Sequence, residues 1–183
     1  MRKQVRIVAL ICALGLVIGG AYLLSGHILP EETVELPIGE AVADAERFLD
    51  FSAEDQAGNP VYLSDFIDRA TVVYFWTSWC GFCTLGMDEL ELLYESMGEQ
   101  VQILAVNLST WSRGRDEAVL GRLFMEEADF SFFSIYDANG EAAELYGITA
   151  VPMLLFIDAN GRLTHQQLGF LSAEAMEAHI PLG

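Results

Sequence analysis

The chain has 183 residues, 52% of them hydrophobic and 20% charged, which excludes a disordered protein and leaves room for one domain plus an appendage. Its 27 acidic residues outweigh nine cations, giving a formal net charge of -18 with Lys3 as the single lysine. That balance argues against nucleic acid as a partner, because binding it rests on cations that displace counterions from phosphates.

Arg2, Lys3 and Arg6 make residues 1–6 a basic tip, and every acidic residue lies downstream, from Glu31 onward. Between them residues 7–25 form a run of 19 residues without a charge, enough helix to cross a hydrocarbon core of about 30 Å. Residues 7–26 are therefore expected to be a single-pass transmembrane signal anchor. The positive-inside bias then puts the N-terminus in the cytoplasm and the acidic bulk outside. A cleaved signal peptide is the alternative, because Gly19 and Ala21 put small residues where a signal peptidase reads. Against cleavage, the apolar run continues through Tyr22, Leu23 and Leu24. Cys12 follows Ile11, where a lipoprotein signal needs a small residue, and reads as apolar filler. Residues 27–46, with Pro30, Pro37 and six acids, read as a juxtamembrane spacer, and 47–183 as the extracytoplasmic domain.

Inside that domain the hydrophobic periodicity changes type repeatedly, as in an α/β protein. Residues 48–52 and 61–63 flank a turn-rich stretch with Gly58 and Pro60 and read as a hairpin. Val72, Val73, Tyr74, Phe75 and Trp76 form the unbroken β-branched and aromatic run expected of a central strand covered on both faces. A helix should follow, since Leu85, Leu90, Leu93 and Tyr94 fall near helical spacing while Asp88, Glu89, Glu91 and Glu95 point to solvent. Next come a strand at 101–107, a helix at about 116–128, an apolar segment at 130–136 and a short helix at 141–146. Strands at 153–157 and 163–168 flank Asn160 and Gly161, a pair suited to positive φ in a tight turn, and a helix over 173–180 closes the chain. This is the order of a thioredoxin-like fold: a central mixed sheet flanked by helices, with an N-terminal hairpin and a βα insertion.

The chemistry sits where the central strand meets its helix, in Trp76-Thr77-Ser78-Trp79-Cys80-Gly81-Phe82-Cys83. One helical turn carries two cysteines so spaced within disulfide distance. Cys80, at the helix start, is expected to be the exposed nucleophile, because unpaired N–H groups and the helix dipole stabilise a thiolate there. Cys83, one turn in, is expected to be buried and to resolve the mixed disulfide. The rival is half of a zinc site. The exported part offers no third cysteine, and His27, His165 and His179 show no paired spacing, so no metal is expected. A structural disulfide closing so short a loop would constrain little of the unfolded chain. Redox exchange in an oxidising compartment fits best, with the cysteine pair itself as the redox group and no further cofactor.

With Val151 and Pro152 about seventy residues on, this motif resembles the thioredoxin superfamily. The anchor, the leading hairpin and the segment after Asn107 narrow the resemblance to the TlpA/ResA-like membrane-tethered thiol-disulfide oxidoreductases. The resemblance implies that Pro152 is cis and faces the cysteines, that the Val151 backbone pairs with a substrate peptide as an added strand, and that Trp79 belongs to the rim around Cys80. From the sequence alone Pro152 reads equally as a proline opening a strand. Several residues depart from the family pattern. Phe82 stands where a proline is common and keeps an amide N–H. Tyr74 replaces the thioredoxin carboxylate under the cysteines, and Gly86 and Asp88 replace a glutamate and a proline after the second cysteine. Tyr74 is then either a core aromatic or a functional hydroxyl, and Trp76 a core residue.

The resemblance implies a reductant of exported protein disulfides, for example in cytochrome c maturation, recharged by a membrane electron donor of CcdA or DsbD type. The same pair could run as an oxidant, since direction depends on how the reduced form is stabilised. A peroxiredoxin-like peroxidase is a further alternative, because Thr77 and Cys80 match a Thr-x-x-Cys pattern, although Val73 stands where that family has proline. A non-enzymatic binding domain is the last, and retention of both cysteines speaks against it. The acidic surface should disfavour acidic partners and push the Cys80 thiol upward.

Overall fold

The computed structural model describes residues 47–111 and 117–182. The expected tip (1–6), anchor (7–26) and spacer (27–46) lie outside the described residues. Among the described residues no helix is long and apolar enough to cross a membrane. The chain runs β1 (Ser52–Glu54), β2 (Pro60–Tyr62), a 3-10 turn (Leu63–Phe66), β3 (Ala70–Trp76), α1 (Gly81–Met97), a 3-10 turn (Gly98–Gln100) and β4 (Val101–Asn107). It continues through α2 (Glu117–Ala128), β5 (Phe133–Tyr136), α3 (Glu141–Leu145), β6 (Met153–Ile157), β7 (Leu163–Leu168) and α4 (Ala173–Glu177). The strands form one mixed sheet in the order β2-β1-β5-β4-β3-β6-β7. β3 is parallel to β4, with Val73 opposite Leu104, and antiparallel to β6, with Val73 opposite Leu155.

All seven residues of β3 are buried, as its apolar run predicts, because the strand alternates between two cores. Val72, Tyr74 and Trp76 face α1 and meet Cys83, Met87, Leu90 and Leu93. Val73 and Phe75 face the opposite side, with Phe51, Leu63, Leu104 and Tyr146. The buried face of α1 is thus Cys83, Gly86, Met87, Leu90, Leu93 and Met97. Leu85, assigned to that face from spacing, is 56% exposed, because the stripe starts at Cys83 and Leu85 lies off it.

The hairpin is real but shifted toward its turn. Phe51 is drawn into the core and its carbonyl accepts from the Leu63 N–H at 3.1 Å, which leaves Ser52–Glu54 to pair with Pro60–Tyr62. The Asp55 carboxylate closes the turn by accepting from the N–H groups of Ala57 and Asn59, both at 2.8 Å. Glu54 also pairs with Tyr136, so the hairpin extends the main sheet. The apolar segment at 130–136 is a strand only over Phe133–Tyr136, because Phe130 and Phe132 stack on each other and extend the cluster of Phe124 and Trp76. In the 158–161 turn only Gly161 takes positive φ, at 78°, and Asn160 does not. α4 stops at Glu177, short of the expected 180, ahead of Pro181.

One pairing escaped the sequence. His165 and His179 stack with ring centroids 3.9 Å apart on Phe156, although nothing in their spacing relates them. Burial first, and the neighbouring His179 second, hold His165 below the usual histidine range. The native state therefore prefers the neutral ring, and the unfolded chain takes up the proton first. Stability is fully present above the ordinary pKa of about 6.5 and is lost as pH falls through it toward the folded value. Thermal melts followed by circular dichroism should show the midpoint falling between about pH 7 and 5, less steeply in His179→Ala.

Candidate active site

β3 reaches its C-terminal end at Trp76, and after the four residues 77–80 α1 begins. Cys80 is its N-cap, in extended backbone at φ -91°, with its sulfur accepting from the Cys83 N–H at 3.2 Å. The Cys80 carbonyl accepts from the N–H groups of Cys83 at 2.9 Å and Thr84 at 3.1 Å. These contacts take up the N–H groups of Cys83 and Thr84, and no acidic residue stands in the first turn. Cys80 and Cys83 form a disulfide with Cα atoms 5.1 Å apart. Cys80 is partly exposed and Cys83 is wholly buried.

The other half of the site comes from far along the chain. The Val151–Pro152 bond is cis, and the Val151 carbonyl oxygen lies 3.7 Å from the Cys80 sulfur. Pro152 is buried, and its carbonyl accepts from the Gly169 N–H at 2.8 Å, which ties the segment before α4 to the site. Trp79 is half-buried, its indole N–H donating to the Trp111 carbonyl at 2.9 Å. Phe82 is 67% exposed beside the exposed Gly81, where an added Cβ would meet nothing. Trp76 is a core residue.

Tyr74 lies beneath the pair and donates its hydroxyl to the Cys83 carbonyl at 3.1 Å. Burial drives its pKa far up, so the phenol stays neutral and cannot take a proton from Cys83. Gly86 lies directly against it: a Cβ there would come within 2.2 Å of the Tyr74 hydroxyl oxygen. Thr77 is buried with its hydroxyl bonded to nothing among the described residues, so it does not address the Cys80 sulfur. No group of three or more metal-binding side chains converges among the described residues.

A cluster that the sequence did not announce stands behind the loop before Cys80. Glu117, the first residue of α2, is buried and accepts from the Ser78 N–H at 2.6 Å, the Ser78 hydroxyl at 2.7 Å and the Asn107 amide at 2.8 Å. In sequence it is one of 27 acids, at a helix start where acids commonly face solvent. Its signal is tertiary: the sheet brings the ends of β3 and β4 side by side, Trp76 opposite Asn107.

Comparison with known proteins agrees with this geometry. Residues 43–180 match the Redoxin family. Thiol-disulfide oxidoreductase ResA of Oceanobacillus iheyensis is 30% identical over 144 residues, 78% of this chain and 71% of that one. The chain belongs to the Redoxin family. It is a TlpA/ResA-like member of the thioredoxin superfamily and an oxidoreductase. ResA of Bacillus thuringiensis is 27% identical over 180 residues, 98% of this chain and 95% of its own. Among solved structures, StoA from Bacillus subtilis shares the fold with a TM-score of 0.60 at 21% identity, over 71% of this chain and 95% of that one. The Redoxin match includes the whole of β1 to α4, so the hairpin, the insertion with α2 and the cysteine pair all lie inside the family domain.

Proposed function

We propose that this oxidoreductase is tethered to the cell membrane by residues 7–26, faces the extracytoplasmic side and reduces disulfides in exported proteins. The observation that carries the reading is a partly exposed Cys80 at a helix start, opposite the Val151 carbonyl and backed by a buried Cys83. The Cys80 thiolate attacks a substrate disulfide, forming a mixed disulfide and releasing one substrate thiolate. Cys83 then attacks the Cys80 sulfur, which frees the second substrate sulfur and leaves the Cys80–Cys83 disulfide. Two electrons pass to the substrate, and no cofactor beyond the pair is needed. The substrate segment lies beside Val151 as an added strand, with Trp79, Gly81 and Phe82 as its rim.

The reducing direction is supported by what surrounds the pair. An acidic surface and a buried carboxylate behind the loop disfavour a thiolate at Cys80, and a less stable reduced form is a stronger reductant. A donor of CcdA or DsbD type returns the electrons, and apocytochrome c is a substrate of suitable chemistry. The test is the reduction potential of the full chain against glutathione. A value near the thioredoxin level of about -270 mV is expected, and one near the -120 mV level of strong oxidants overturns the direction. The tether is checked separately: deleting residues 1–26 should move the protein from the membrane fraction to the supernatant, and unchanged fractionation of the deletion would remove the anchor.

A further inference from the structure

Two carboxylates are buried among the described residues, Glu117 and Asp137, and they work differently. Asp137 caps α3 by accepting from the N–H groups of Ala142 at 3.2 Å and Ala143 at 3.1 Å. Glu117 instead reaches across to the loop before Cys80. Three donors meet its two oxygens, two of them from Ser78 and one from Asn107. This set suits an ionised carboxyl, which only accepts. Asn107 is itself fixed, its side-chain oxygen accepting from the Ser109 hydroxyl at 3.0 Å. One turn along α2, a Cβ at Gly121 would fall 2.6 Å from the Asn107 amide nitrogen, so glycine is what lets the helix sit this close.

Burying a carboxylate costs several kcal/mol unless its charge is met. Here hydrogen-bond dipoles meet it, and among the described residues no cation is within ion-pair distance. A structural loop anchor would need only neutral acceptors. The charge is the unexplained part, and it is hydrogen-bonded to Ser78, two residues before Cys80.

We propose that Glu117 is a positioning residue for disulfide exchange: it holds the loop at Ser78 through hydrogen bonds and, through its charge, raises the Cys80 thiol so that the pair is more reducing. This deepens the thiol–disulfide reading and rests on it. Like charge disfavours the thiolate, and removing thiolate stabilisation makes the reduced form give up its electrons more readily. Among the described residues, three titratable groups on the neighbouring elements have partners of their own. Tyr74 on β3 stays a neutral donor, Arg122 on α2 is paired with Glu54 at 2.6 Å, and Glu89 on α1 accepts from the Ala173 N–H at 2.8 Å.

The test uses E117Q in the full chain. Glutamine keeps every partner, its oxygen accepting from the two N–H groups and its amide donating to the Ser78 oxygen, so the loop anchor survives while the charge goes. The Cys80 pKa, read from the pH dependence of alkylation of the reduced protein, should fall by about one unit. The exchange equilibrium with glutathione should shift toward the reduced form relative to wild type. That shift grows with pH until it reaches about tenfold, or roughly 30 mV. E117D, which keeps the charge, should stay close to wild type in both readouts. A Cys80 pKa in E117Q that is unchanged or raised overturns the proposal, and so does an equal shift in E117D and E117Q, which would mark distortion of the loop. Should E117Q not fold, Ser78→Ala removes one hydroxyl donor and leaves the charge less neutralised. The Cys80 pKa should then rise, and an unchanged value overturns the charge effect. Wild-type protein that exchanges with no thiol would sink the underlying function instead, a result separate from any of these.

Discussion

Cys80→Ser should reduce thiol–disulfide exchange to the uncatalysed background, whereas Cys83→Ser should abolish turnover yet accumulate mixed disulfides with partner proteins. The asymmetry follows from burial. Cys83 has no exposed surface, so with Cys80 gone no sulfur of the pair can reach a substrate disulfide. With Cys83 gone, Cys80 keeps its place as the cap of α1 and still attacks, because serine at position 83 changes neither the turn nor the Val151 contact. What it loses is the thiolate that would release the product. Serine cannot substitute at either position, since its hydroxyl does not ionise in the working pH range and forms no disulfide. The measurement is insulin reduction, together with non-reducing gels of cell extracts, each variant carrying Cys12→Ala so that only the pair reports. Equal trapping by both variants would mean that Cys83 is reached directly, against its burial. No trapping by Cys83→Ser would remove protein disulfides as the substrate.

What could be read in advance divides along physical lines. β3 was legible because five consecutive β-branched and aromatic residues have no use except burial on both faces of a sheet. The cysteine pair was legible because its chemistry depends on local spacing, which one helical turn fixes. The hairpin was placed in the right region with its first strand set too early, since Phe51 serves the core as a side chain while its carbonyl serves Leu63, and periodicity cannot separate those uses. Contacts that depend on the meeting of distant segments left no trace at all. His165 and His179 stack only because β7 and the C-terminal segment both lie over Phe156. Glu117 reaches Ser78 only because β3 and β4 end side by side. Charge counting found no carboxylate at the strand position where thioredoxins bury one. A buried carboxylate does occur on the inserted helix, but it bonds the loop at Ser78 and Asn107 on β4.

Tyr74 and Gly86 stood as two separate departures from the family pattern, and the structure makes them one. The phenol of Tyr74 fills the volume into which a side chain at 86 would grow, with its hydroxyl 2.2 Å and its ring carbon Cζ 2.9 Å from where a Cβ would stand. Tyr74 cannot swing away, because it is fully buried between β3 and α1 and bonded to the Cys83 carbonyl. Gly86→Glu should therefore be severely destabilising: overpacking costs about 1–3 kcal/mol, and a buried carboxylate without a partner adds several more. Against a total stability of about 5–15 kcal/mol, the thermal midpoint should drop by roughly 10 °C or more. Tyr74→Val alone should also cost about 3–5 kcal/mol through the cavity it leaves. In the double variant the glutamate stem occupies that cavity, so the combined loss should be smaller than the sum of the two by about 1–3 kcal/mol. Urea titrations of the four proteins measure this coupling. Strict additivity would show that position 86 is closed by something other than Tyr74, and that the phenol and the glycine are unrelated substitutions after all.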